Sequence, residues 1–250
     1  MIALSNLRMP EMPIPKIASA TVLAGLLLFG GIAHAATLQP YTASYEVTRN
    51  GDTLGQATVT LKPSAGGWDY ESVTHGTNGL AALAAANIDE HSEIAANAGV
   101  LEMRSYHYRL TTLLKSSERD ITVDRATNRI VIRDKKHERG FPMQPGVIDQ
   151  QSVTIAISQD LANGKRGTLT YNVAGKDHVG LQRYQVGKEQ TVKVPAGSLR
   201  TVTVSRLRDS SGGRVTASWY GLDNGFVPVQ IVQTEPNGEI FEMKLLSLKR

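Results

Sequence analysis

Alternation of apolar and polar side chains with a period of two constrains this chain more than any other feature, because only an extended strand sends successive side chains to opposite faces. The pattern begins with Tyr41, Ala43, Tyr45 and Val47 on one face and Thr42, Ser44, Glu46 and Thr48 on the other. Asn50-Gly51-Asp52 follows, and both Asn and Gly accept the positive φ of a tight reversal. Thr53 to Leu61 then reads as the returning strand, with Ala57, Val59 and Leu61 on its apolar side. The first pair is a hairpin.

The same grammar runs to the end of the chain. Lys62-Pro63-Ser64-Ala65-Gly66-Gly67 turns into Trp68–His75, Arg125-Ala126-Thr127-Asn128 separates Asp120–Asp124 from Arg129–Arg133, and Pro195-Ala196-Gly197 separates Gln190–Val194 from Leu199–Arg206. Ser210-Ser211-Gly212-Gly213 and Glu235-Pro236-Asn237-Gly238 supply further reversals, and Phe241, Met243 and Leu245 form the apolar face of the last strand. On the order of a dozen short strands joined mostly by tight turns predict an all-β fold, an antiparallel barrel or β-spiral with one or two short helices.

Two segments break the alternation. Asn78–Asn87 sets Leu80 and Leu83 among alanines with no β-branched residue, and reads as a short helix or apolar flap. Asp149–Leu161 has Asp149 as a helix N-cap, Val153, Ile157 and Leu161 at four-residue spacing, and Gly164 as a stop. Its Val-Thr-Ile-Ala-Ile core also suits a strand by propensity. Between Arg139 and Val147, the run Gly140-Phe141-Pro142-Met143-Gln144-Pro145-Gly146 reads as a long loop.

Residues 1–35 follow a different rule. Lys16 precedes an apolar run from Ile17 to Ile32 that closes on Ala33-His34-Ala35, the basic, apolar and small-x-small order of a cleavable export signal. A run of this length is marginal for spanning roughly 30 Å of hydrocarbon. The expected organisation is a signal peptide over 1–35 and a single β-rich periplasmic domain over 36–250. The chain contains no cysteine, so no disulfide braces the fold and no thiol is available for lipid attachment. No stable membrane anchor is expected after signal cleavage.

The formal net charge is +4, and the leader's Arg8 and Lys16 against Glu11 leave +3 once it is removed. Acids interleave with bases even in the densest run, Arg133-Asp134-Lys135-Lys136-His137-Glu138-Arg139. Nucleic-acid binding needs an uncompensated basic stripe, so no nucleic acid is expected as a partner.

Catalytic patterns are scarce. There is no Gly-x-Ser-x-Gly elbow, and Ser198, after Pro195-Ala196-Gly197, is a hairpin residue. His75, His91, His107, His137 and His178 lack metal-ligand spacing. Asp89, His91 and Glu93 share one strand face, but side chains about 6.8 Å apart along a strand cannot close a tetrahedron by themselves, and a solvated face is the simpler reading. No catalytic residue, metal site or cofactor is assigned.

Aromatic side chains remain as recognition candidates. At strand spacing they ordinarily pack a core, but in a barrel too wide for its side chains to fill, the core face and the ligand face are the same. The candidate ligand-lining residues are Tyr45, Trp68, Tyr70, Tyr106, Tyr108 and Trp219, with Leu80 and Leu83 from the flap. Trp219 alternates with Val215 and Ala217 on an apolar face.

Several stretches carry a family likeness. They are Tyr184-Gln185-Val186-Gly187-Lys188-Glu189, Val194-Pro195-Ala196-Gly197-Ser198-Leu199-Arg200-Thr201-Val202, Trp219-Tyr220 and Val227-Pro228-Val229, with Tyr41, Tyr45-Glu46-Val47, Gly51 and Gly55 at the start and Asp149-Gln150-Gln151-Ser152 in the middle. As a set they resemble a widespread Gram-negative family of exported proteins classed as a domain of unknown function. The resemblance implies an all-β, barrel-like periplasmic domain with no active site to carry over. Pro195 and Gly197 also have a turn to make, and Pro228 fits a strand only where its missing N–H meets an edge or a bulge.

The expected function is a periplasmic, non-catalytic binder of an apolar or amphipathic ligand, lipid-like or envelope-derived, or of a periplasmic protein partner. Two other classes stay open: a hydrolase of envelope glycan or ester built on Asp89, His91 and Glu93, and an interaction protein that adds a partner's strand to an exposed sheet edge.

Overall fold

A computed structural model of the chain describes residues 38–77, 86–208 and 213–250. The leader, Leu80 and Leu83, and nearly all of the expected Asn78–Asn87 flap lie outside these residues. The described strands are β1 Tyr41–Arg49, β2 Asp52–Ser64, β3 Gly67–Gly76, β4 Asn87–Asn97, β5 Val100–Thr111, β6 Ser116–Asp124, β7 Arg129–Asp134, β8 Glu138–Pro142 and β9 Ile148–Asp149. After the helix α1, Val153–Ala162, come β10 Thr168–Ala174, β11 Val179–Val194, β12 Gly197–Leu207, β13 Val215–Gly221, β14 Pro228–Thr234 and β15 Ile240–Lys249.

All fifteen strands share one sheet, in the order β8-β7-β6-β5-β4-β3-β2-β1-β15-β14-β13-β12-β11-β10-β9. Neighbours run antiparallel except β9 and β10, which are parallel. The local reason is turn chemistry. Asn50 and Gly51 take φ of 51° and 89°, the pair of left-handed residues that a two-residue hairpin requires, and they join β1 to β2 as their sequence predicts. At the reversal between β6 and β7, the Asp124 carboxylate accepts hydrogen bonds from the N–H groups of Ala126 and Thr127 before Asn128 adopts φ 54°.

The sheet does not close edge to edge. Strand β6 pairs only with Ser105–Thr111 of β5, which leaves the first half of β5 open on that side. There the opposite end of the sheet arrives, and the Met103 N–H donates to the carbonyl of Val147, just before β9, at 2.8 Å. Strands β6 to β8 continue past this seam, and Ile121, Ile130 and Ile132 bury against Val147 and Ala174 in a second core. The result is an overlapping spiral. It resolves one edge by covering it, and leaves β8 as a free edge only five residues long that ends in Pro142, a residue tolerated at an edge because it lacks an N–H. The expected loop over Gly140–Gly146 is thus strand for its first three residues.

Five bulges bend the wall, each an extra residue that increases local twist. Tyr220 pairs Pro228 just beyond one of them, which is where the proline loses no ladder bond. Another lies between Val47 and Thr48, and Thr48 is buried although the alternation that starts at Tyr41 sends it outward.

The helix occupies the interior of the spiral. Val153, Ile155, Ala156, Ile157, Ser158 and Leu161 are all buried, so apolar residues surround it, as expected of a helix inside a core. Its end is a Schellman motif: Gly164, at φ 78°, donates to the Leu161 carbonyl and Lys165 to that of Asp160. Its start differs from expectation. Asp149 is the last residue of β9, and the N-cap residue is Ser152, whose hydroxyl turns back to Asp149 Oδ2 at 2.5 Å. Asp149 Oδ1 accepts from the N–H groups of Gln151 and Ser152, both at 2.9 Å, and from Ser92 Oγ of β4 at 3.0 Å. One buried carboxylate therefore orders the helix entry and ties it across the seam.

Removing that acceptor strands two hydroxyls and two N–H groups out of water. Asp149→Ala should destabilise the protein by about 3 kcal/mol, read from urea denaturation. Asp149→Asn, which keeps one acceptor oxygen, should lose less.

Candidate functional site

The helix fills one end of the spiral and leaves the other hollow. A cavity of about 760 Å3 remains between the N-terminal turn of α1 and the inner wall, within the range of about 300–1,000 Å3 usual for ligand sites. Its floor is apolar and aromatic: Tyr45, Val59, Tyr70, Val153, Ile157, Tyr184, Val204 and Tyr220. Higher up the wall come Ser72, Thr216, Ser218 and Gln233, and at the rim Lys176, Arg208 and Arg214, which are exposed. The cavity therefore opens to solvent at its basic end.

Strand parity builds this gradient. Along β12 the inward positions are Val202, Val204 and Arg206, and along β13 they are Thr216, Ser218 and Tyr220, so each strand runs from buried to exposed as it rises. The same parity places Trp219, Ala217 and Val215 on the opposite face, with Val215 exposed. The apolar set of β13 is thus the outer one, and the inner set is polar because it borders a solvent-reaching cavity.

Of the expected lining residues, Tyr45, Tyr70, Tyr106 and Tyr108 come together on the cavity wall. Trp68 lies one inward step further from the mouth than Tyr70 and packs against the main core, and Trp219 lies on the face away from Tyr220, so neither lines the cavity. Leu80 and Leu83 are outside the described residues.

The floor hydroxyls are held neutral. Tyr45 donates to the Pro228 carbonyl at 2.8 Å and Tyr184 to Gln182 Oε1 at 2.7 Å. Burial pushes the hydroxyls of Tyr45 and Tyr220 far above their ordinary range and that of Tyr70 up to about 12. They can hydrogen-bond a ligand but not remove a proton from it.

Among the described residues one acid lines the cavity. Glu90, inward on β4, accepts the Tyr106 hydroxyl at 2.6 Å, and burial raises its carboxyl pKa against the pull of Tyr106 and Arg119. Asp149 also raises it, but Asp149 has four donors of its own and does not line the cavity. Arg119 stacks over the Tyr108 ring at 5.3 Å, and its Nε is buried with no hydrogen-bond partner among the described residues, as is Gln151 Oε1 on the helix side. Neither Glu90 nor any of the five basic residues lining the wall was singled out by residue type. Their signal was parity: Arg206 and Arg208 continue the inward series of Val202 and Val204.

None of the five described histidines lines the cavity. Asp89, His91 and Glu93 occupy the outer face of β4, where His91 Nε2 lies 3.8 Å from Asp69 Oδ1. Among the described residues no three His, Asp or Glu side chains converge on a point that holds a metal ion. A smaller pocket of about 220 Å3 behind the helix contains Asp160, which is already engaged by Lys165 at 2.7 Å and by the Tyr171 hydroxyl at 2.8 Å.

A single sheet that wraps over its own edge around a helix and keeps one end hollow is a barrel-like, all-β architecture. The chain belongs to the family described as "Protein of unknown function (DUF3108)", which matches residues 41–245. Among solved structures it is similar to a beta-barrel-like protein of the domain of unknown function DUF1849 from Brucella abortus, at 14% identity and a TM-score of 0.54, over 86% of this chain and 99% of that one. A DUF1089-family protein from Pseudomonas aeruginosa gives a TM-score of 0.29 at 9% identity, over 74% of this chain and 86% of that one. No curated protein matches the sequence.

The raised Glu90 carboxyl has a measurable sign. A folded pKa above the unfolded one, about 4.3 for Glu, contributes stability that is complete below that value and is lost as pH rises through the folded value. Glu90→Gln keeps an acceptor for Tyr106 and cannot ionise. Its melting temperature relative to wild type should therefore rise from pH 4 to pH 8, read by thermal denaturation at both.

Proposed function

We propose that this is an exported, periplasmic protein that holds an amphipathic ligand in the spiral cavity and does not turn it over. The observation that carries the reading is the gradient of the 760 Å3 cavity, from an aromatic and aliphatic floor to a polar, solvent-reaching mouth. A wholly apolar guest would leave the mouth groups unmatched, and a wholly polar guest would leave the floor unmatched. Recognition without turnover is supported by the chemistry of the wall. Its tyrosine hydroxyls are held neutral, and among the described residues no imidazole faces the ligand space and the one carboxylate, Glu90, is bonded to Tyr106 and stands opposite the Ser72 hydroxyl with no second acid and no histidine on the wall to form a catalytic pair. Export is supported by the basic, apolar and small-residue order of 1–35, and the absence of cysteine supports release without a lipid anchor.

The purified protein should bind the neutral fluorophore N-phenyl-1-naphthylamine. Ser218 faces the cavity between Val204 of β12 and Ile231 of β14, so Ser218→Trp adds bulk where the ligand lies. This variant should lose about tenfold or more in fluorophore affinity while keeping its strand circular-dichroism signal and a cooperative melt. Undiminished binding to a folded Ser218→Trp protein would sink the cavity as the site.

A further inference from the structure

The charge at the mouth is one-sided. Of the described residues lining the cavity, Arg119, Lys176, Arg206, Arg208 and Arg214 are cationic and Glu90 alone is acidic. This imbalance is local, because elsewhere the surface interleaves its charges: Arg109 with Glu118, Arg133 with Glu138, and Lys62 with Glu71 are all paired. At the mouth only Arg214 has a carboxylate partner among the described residues, Glu235 at 2.6 Å. Arg206, Arg208 and Lys176 have none within ion-pair distance there.

Position sharpens the point. Arg206 and Arg208 are successive inward residues at the end of β12, Arg214 opens the returning strand of the same hairpin, and Arg206 stands directly opposite Tyr184 in the ladder with β11. Arg206 is half-buried, and its guanidinium is pushed below its ordinary pKa first by that burial and then by Arg208 and Arg214. Like charges gathered at the lip of a low-dielectric cavity repel one another and attract an anion. Arg119 of β6 also lines the cavity, set over the Tyr108 ring with its Nε unpartnered among the described residues. Guanidinium groups on two walls suit a forked oxyanion, which accepts paired N–H donors.

We propose that the ligand is an anionic amphiphile: a phosphate or carboxylate head seated between Arg206 and Arg208 on one wall and Arg119 on the other, with an apolar chain running down to Tyr220, Val204 and Ile157. This rests on the reading of the cavity as a ligand site and specifies the head group that the site selects. The head and the chain are both required, which separates this ligand from free phosphate.

The test is displacement of N-phenyl-1-naphthylamine by four probes below their micelle concentrations: dodecyl phosphate, dodecyl maltoside, dodecyltrimethylammonium and inorganic phosphate. Dodecyl phosphate should displace the fluorophore at a concentration about tenfold or more below that of dodecyl maltoside, with dodecyltrimethylammonium weakest and inorganic phosphate without effect. The double variant R206Q/R208Q should weaken dodecyl phosphate by about tenfold or more while leaving dodecyl maltoside within about twofold, and R206K/R208K, which keeps the charge, should recover part of the loss. Equal displacement by the anionic and cationic chains, or a loss in R206Q/R208Q common to every probe, overturns the anionic head group while the cavity stands, and an effect of inorganic phosphate equal to that of dodecyl phosphate overturns the amphiphile in favour of a simple anion. Failure of the fluorophore and all three chains to bind overturns the cavity reading itself.

Discussion

The buried carboxylate of Asp149 is the interaction on which the rest of the structure depends. An open sheet of fifteen strands has two edges, and the last strand at one of them, β9, is only two residues long. Two ladder pairs with β10 cannot fix the end of a sheet that must curl back on itself. Asp149 adds what the ladder lacks, because its oxygens collect donors from Ser92 of β4, from Gln151 and from Ser152. A carboxylate buried without such donors costs several kcal/mol, so the site is stable only when seam and helix entry form together. The Met103 to Val147 hydrogen bond and the second core under Ile121, Ile130 and Ile132 then lock the overlap.

From that knot follows the direction of the helix and hence the position of the cavity. Gln151 donates to the Tyr70 carbonyl, and Ser158, about two turns further, to that of Phe226, so α1 is held on both sides as it descends into the spiral. Its N-terminal turn becomes the floor of the hollow end. The wall above it is the set of inward positions on β1 to β6 and β11 to β15, and its polarity changes with height because strands such as β3, β12 and β13 change polarity along their inner faces.

What the sequence made legible was whatever local geometry determines. The β1–β2 hairpin could be read from Asn50-Gly51 and the end of α1 from Gly164, because positive φ at those residues is a property of the residues themselves. Bulges were not legible, since they arise from the curvature of the whole wall, as at Val47/Thr48 in the β1–β2 ladder. Strand β13 misleads for a related reason. Period-two reading assigns the apolar side to the ligand space, yet Thr216, Ser218 and Tyr220 face the cavity, while on the other face Val215 is exposed and Trp219 packs half-buried against the main core. That rule holds for a packed core and fails where the interior is a solvent-reaching cavity. The cluster at the mouth joins Glu90, Arg119 and Arg206, which are distant in sequence and meet only because the sheet wraps.

The same gradient explains why the cavity persists. A hollow lined only by the floor residues would shrink, because closing it removes apolar surface from water at about 25 cal/mol per Å2. Closing this one would also drive Arg206, Arg208 and Lys176 toward a low-dielectric interior and toward one another, with Glu90 the one carboxylate among the described lining residues to offset them. Desolvating a guanidinium is far more costly than burying a few methylenes is favourable, so the charged mouth props open the apolar floor. An anionic amphiphile relieves both at once: its chain takes the exposed floor out of water, and its head neutralises the arginines while they remain at the solvent boundary. The features that prevent collapse are therefore the ones that make the site selective.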